Sequence, residues 1–233
     1  MGGSKISIRE NLELINERIA AASSKAGRSD DIQLIAVTKT IDLGRIREAI
    51  EAGATDIGEN KVQELSDKMK SLGTAARYHM IGHLQTNKVK YIADSVHLIH
   101  SLDRLSLAEE INKRAKKIGR IIDVLIQVNV SGEDTKFGIS PAEAIPFIES
   151  ALKYDSLKIK GLMTIAPFVE EESILRRTFS GLYELGERIK TNSYKEIDFQ
   201  YLSMGMTNDF EIAIEEGSNM VRVGTGIFGK RNY

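Results

Sequence analysis

The chain has 233 residues, 42% apolar and 28% charged, with a formal charge of −1 and no cysteine. That length supports one well-filled core, and the missing thiols exclude disulfides, thiolate catalysis and cysteine-held metals. The near-neutral balance offers no electrostatic grip on nucleic acid, and no segment approaches the roughly 20 apolar residues that would cross a membrane.

The opening MGGSKISIRE lacks the apolar centre of a signal peptide. Ile6 stands where a myristoylation signal wants Ser or Thr. A soluble, cytoplasmic protein is expected. Residues 5–27 carry Ile8, Leu12, Ile15 and Ile19 at helical spacing and stop at Gly27. This N-terminal helix is left to cover the bottom of the fold or to meet a partner. Strand patterns then follow at 32–38 (IQLIAVT), 55–58, 78–82, 96–101, 121–130, 157–165, 198–203 and 220–224 (MVRVG). Helical spacing occupies 42–53, 60–72, 103–118, 140–153 and 171–191 between them.

Strands alternating with helices predict a parallel sheet. Eight of them suit an α/β fold of the single-domain (β/α)8 TIM barrel type, here with an extra N-terminal helix. An open doubly wound sheet is the alternative, but no G-x-G-x-x-G follows the first strand. No Gly/Ser/Pro-rich linker divides the chain, so 1–233 is read as one domain.

In such a barrel the chemistry gathers at the C-terminal ends of the strands. Strand 1 ends in LIAVTK, presenting Lys39. At a desolvated strand end the charged form of a lysine is disfavoured, and the free amine can condense with a carbonyl to form a Schiff base. A solvated lysine just past the strand is the plainer reading. Strand 2 runs into GEN and places Asn60 at the mouth. Strands 7 and 8 lead into LSMGMTND and VRVGTGIFG, whose Ser203, Gly205, Thr207, Gly224, Thr225 and Gly226 suit a phosphate cradle. Turn punctuation and helix caps would use the same residues. Arg222 alternates with Val221 and Val223 within a strand. It therefore either pairs with a neighbouring carboxylate or contacts a ligand. The four histidines include no H-E-x-x-H, so no metal site is expected; the two in HLIH are read as satisfied locally.

AVTK, GEN, HMIGHLQTNK, GLMTIAP, LSMGMTND and VRVGTGIFG occur in this order, within a match that runs from about residue 6 to Tyr233. Together they resemble the pyridoxal phosphate homeostasis proteins (the YggS/PROSC group), a single-domain barrel similar to the N-terminal domain of alanine racemase. The resemblance implies pyridoxal 5′-phosphate (PLP) as cofactor, with Lys39 as the Schiff-base lysine. Ser203, Gly224 and Thr225 would hold the phosphate, Arg222 would face the pyridine nitrogen, and Asn60 would lie near the ring. His83, Gly226 and the TID after Lys39 depart from the family's usual residues.

The resemblance also implies a carrier rather than a catalyst, with no catalytic residue assigned. A racemase needs proton-transfer groups on both faces of the bound amino acid. In the racemase fold the second is a tyrosine from another domain, which this chain is not expected to supply. An arginine at the ring nitrogen only donates, leaving a poor electron sink. The expected role is PLP homeostasis and delivery to apo PLP-dependent enzymes, by a monomer binding neither nucleic acid nor membrane. The alternatives are a racemase of low activity and a Schiff-base aldolase acting on a phosphorylated substrate.

Overall fold

Ser7 opens the first helix with a capping box: its hydroxyl accepts from the Glu10 amide, and the Glu10 carboxylate accepts from the Ser7 amide. In this computed structural model, residues 7–192, 194 and 197–229 are described. Helix α1 spans Ile8–Lys25 and buries the predicted stripe of Ile8, Leu12, Ile15 and Ile19. Residues 5 and 6 of the expected helix lie outside the described residues.

The strands are β1 (Gln33–Val37), β2 (Asp56–Glu59), β3 (Arg77–Met80), β4 (Leu98–Leu102), β5 (Ile122–Gln127), β6 (Leu157–Met163), β7 (Tyr201–Met206) and β8 (Met220–Val223). They close into one parallel barrel in chain order, β8 pairing with β1. Around it run α2 (Leu43–Glu51), α3 (Val62–Leu72), α4 (Leu105–Lys117), α5 (Ala144–Ala151), α6 (Glu172–Thr191), α7 (Phe210–Glu215) and α8 (Thr225–Phe228). The fold is the expected (β/α)8 barrel. A main apolar core lies between strands and helices, and a small cluster of Ile35, Leu98, Leu125, Met163 and Met220 fills part of the interior. Each such side chain, fully buried, contributes about 1.5–3 kcal/mol.

The differences from expectation have local causes. Pro141 starts a 3-10 turn at Pro141–Glu143, so the helix expected over 140–153 begins as α helix only at Ala144. A 3-10 stretch at Thr86–Tyr91 links β3 to β4. Strand β7 starts and ends three residues later than its pattern suggested, because Gly205 sits inside it at φ 93°. A β-carbon there would lie 2.6 Å from the Ala213 β-carbon, so the strand passes close over α7 at a register shift. The N-terminal helix packs on α2, α7 and α8.

Candidate functional site

A hollow of about 340 Å³ opens at the C-terminal mouth of the barrel, within the range of small-ligand pockets. Lys39, Asn60, Arg222, Gly224 and Thr225 all line it, along with Thr207, Asp209 and Phe168. Five of the six residues that the resemblance assigns to the cofactor thus meet in one place. Ser203 does not line this hollow; it is fully buried within the barrel.

Lys39 stands two residues after the end of β1, beyond Thr38, and is half-buried. What holds it is Thr38, whose hydroxyl donates to Glu59 Oε1 at 2.6 Å and whose carbonyl accepts from Lys68 Nζ at 2.7 Å. Lys68 also pairs with Glu59. This buried triad of Thr38, Glu59 and Lys68 ties the tips of β1 and β2 to α3. After Lys39, Thr40 adopts φ 66°, and its amide donates to the Glu64 carboxylate at 2.9 Å. Few non-glycine residues take that conformation, and here it turns the chain sharply away from the lysine. Asn60 is positioned by a close backbone approach: a β-carbon on Gly82 would lie 2.4 Å from the Asn60 carbonyl oxygen.

Beside Lys39, after β7 and β8, the Thr207 hydroxyl accepts from the amides of Gly224 at 3.3 Å and Gly226 at 3.5 Å. Both contacts are long. An arriving anion would replace them with shorter charge-assisted bonds. A β-carbon on Gly224 would sit 3.3 Å from the carbonyl oxygen of Val37, so a small residue keeps this turn against the strand that carries Lys39. The next carboxylate, Asp209, is buried and accepts from the Met206 amide; burial pushes its pKa up, against that hydrogen bond and the charge of Arg222.

Arg222 is almost fully buried. Its Nη1 donates to Ser203 Oγ at 2.7 Å and its Nη2 to the Thr164 carbonyl at 2.9 Å. Burial lowers its pKa to about 10, with Asp209 opposing, and it remains a cation at neutral pH. Ser203 Oγ also meets His100 Nδ1 at 3.0 Å, His100 Nε2 meets His79 Nδ1 at 3.0 Å, and His79 Nε2 meets Asp56 Oδ1 at 2.8 Å. The partners of His100 therefore come from across the barrel rather than from its own segment, which corrects the local reading of HLIH. Burial lowers the pKa of both imidazoles.

The profile of the family described as "Alanine racemase, N-terminal domain" matches residues 10–232. A protein of Aquifex aeolicus named "Pyridoxal phosphate homeostasis protein" is 44% identical over 226 residues, covering 96% of this chain and 98% of that one. This chain belongs to the pyridoxal phosphate homeostasis family. A solved structure from the same sequence neighbourhood is PipY of Synechococcus elongatus with PLP bound. It has a TM-score of 0.81 and 32% identity, and covers 92% of this chain and 100% of that one. Alanine racemase of Clostridium difficile, at 16% identity and TM-score 0.75, shares the fold, with 96% of this chain matched to 58% of that enzyme.

For a pyridoxal phosphate homeostasis protein the mouth has a fitting donor set: an amine, a cation and a turn whose amides are held only by long hydrogen bonds. The sequence reading placed Thr207 in the phosphate cradle, although the resemblance carried no role over to it. It missed Asp209, Lys68 and His100 as neighbours of the site. The pair Glu59 and Lys68 had a signal in the sequence, a carboxylate in a strand tip with a lysine nine residues on. His100 had none, since its partners depend on barrel closure.

Proposed function

We propose that this protein binds PLP in the mouth hollow, holds it reversibly and passes it to apo-enzymes that need it. The observation carrying this reading is that Lys39, Thr207, Gly224 and Thr225 line one hollow, with the Gly226 amide bound to the same Thr207 hydroxyl. When bound, the cofactor supplies an aldehyde that condenses reversibly with a primary amine. Lys39 is the amine, held at its strand tip by the Thr38 contacts. The amides of Gly224 and Gly226 and the hydroxyls of Thr207 and Thr225 would hold the phosphate. Arg222 would donate to the ring nitrogen, and Asn60 would border the ring. Ser203 is reassigned from the phosphate to Arg222, because its oxygen already serves that guanidinium.

Holding is favoured over catalysis by the lining itself. Among the described lining residues there is no tyrosine, histidine or cysteine to work opposite Lys39. A ring-nitrogen partner that only donates also gives weak carbanion stabilisation. The test is borohydride reduction of protein incubated with PLP, followed by mass analysis of the adduct. A pyridoxyl-phosphate mass on Lys39, lost in Lys39→Ala, is expected. A sugar adduct, or PLP retention unchanged in that variant, would overturn the reading.

A further inference from the structure

Arg222 is buried inside the barrel, no described carboxylate forms an ion pair with it, and Asp209 acts on it only through its charge. Interiors of such barrels are normally packed with apolar side chains, and a buried cation without compensation is costly. Instead, polar groups from five strands line up. Arg222 on β8 reaches Ser203 on β7, then His100 on β4, His79 on β3 and Asp56 on β2. Asp56 lies at the other end of the barrel, where Arg77, Gln33 and Thr55 also donate to it.

Hydrogen-bond bookkeeping gives this chain a direction. A guanidinium can only donate and a carboxylate can only accept. Asp56 accepts from His79 Nε2–H, so the Nδ1 of a neutral His79 is an acceptor and requires Nε2–H on His100. The Nδ1 of His100 is then an acceptor and requires the Ser203 hydroxyl hydrogen. The Ser203 oxygen is left to accept from Arg222. Every hydrogen points from the mouth toward Asp56, and every polar atom of the row is satisfied. With a protonated His79 the row would reverse at His100, and the Ser203 hydrogen would be displaced from its acceptor.

We propose that Ser203, His100, His79 and Asp56 are positioning residues for Arg222, forming a one-way hydrogen-bonded row, anchored on the carboxylate of Asp56, that fixes its guanidinium. The consequence falls on the ring end of the site, which the row stiffens from within the barrel. This inference rests on the PLP reading for its functional readout, but the row itself can be observed without cofactor.

The experiment has two arms. In cofactor-free protein, 15N NMR of the imidazoles should show His79 and His100 neutral at pH 7, both as Nε2–H tautomers. An imidazolium or an Nδ1–H tautomer at either position overturns the row. In PLP-loaded protein, Ser203→Ala, which cuts the row, should speed PLP release about tenfold and shift the visible absorbance band. Asp56→Asn keeps an acceptor for His79 while removing the charge, and should act in the same direction by a smaller factor. Phe179→Leu, a core change in α6, serves as a stability-matched control and should move neither band nor release rate. Release and band unchanged in both row variants, or moved equally by Phe179→Leu, overturns the positioning role. If wild-type protein retains no PLP, the reading of the site fails instead, and the NMR arm still decides the row.

Discussion

Lys68→Met is expected to cost about 4 kcal/mol of stability at neutral pH, the middle of the range for removing one partner of a buried ion pair. The Glu59 side chain is 0% exposed and that of Lys68 8%. Once the ammonium is gone, the carboxylate keeps only the Thr38 hydroxyl, and its Oε2 has no protein partner. For a chain of this size 1 kcal/mol moves Tm by about 2–4 °C, so a fall of about 8–16 °C is expected. The pH dependence separates charge from packing. Burial raises the Glu59 pKa, while Lys68 and Thr38 oppose the rise. A carboxyl raised on folding contributes most when protonated, below its unfolded pKa, and loses that contribution as pH rises through its folded pKa. Without Lys68 the folded pKa climbs further, so the deficit against wild type should widen between about pH 5 and about pH 8. Urea denaturation at both values measures it, and Lys68→Met with Glu59→Gln should recover more than half of the loss. A deficit below about 1 kcal/mol, or an equal one at both pH values, would refute a buried-charge account.

Thr207→Val should weaken binding of both PLP and inorganic phosphate about tenfold while leaving stability within about 1 kcal/mol of wild type, measured by fluorescence titration and urea melts. Gly161→Ala places a β-carbon 1.9 Å from the Tyr201 carbonyl oxygen at a residue with φ 147°. A loss above about 4 kcal/mol is expected, read as a collapse of soluble yield or of the thermal transition. Burial opposes ionisation of Asp56, but hydrogen bonds from His79, Arg77 and Thr55 outweigh it and hold its carboxyl far below the usual range. Its contribution is therefore present above the unfolded pKa and lost as pH falls through the folded one. Asp56→Asn should flatten the acid limb of the stability profile, and an unchanged limb would argue against ionised Asp56.

The barrel was legible in the sequence because each strand carries a short apolar run and each helix a stripe at its own period, as in IQLIAVT and in Ile8, Leu12, Ile15 and Ile19. Lys39, Arg222 and the Gly224 turn were legible because a polar residue at a strand end breaks such a run. Short helices α7 and α8 were not, since six and four residues are too few to show a helical period. Ser203 was misplaced toward the mouth for a related reason: Gly205 reads as a loop residue, yet it lies within β7 and moves the mouth three residues on. The partnership of His79 with His100 and Asp56 spans three strands, and pairings across a closed barrel leave no local pattern.

Helix α1 grips the other end of the chain. Asn11 Nδ2 donates to the Ile227 carbonyl at 2.9 Å, Arg18 pairs with Glu211, and a β-carbon on Gly226 would lie 3.0 Å from Ile15 Cδ1. Helix α1 thus buttresses a turn that lies 216 residues further along the chain. Contacts this far apart form late in folding. In a growing chain Lys39 therefore exists long before the Gly224 turn that shares its hollow and the helix that supports that turn can come together.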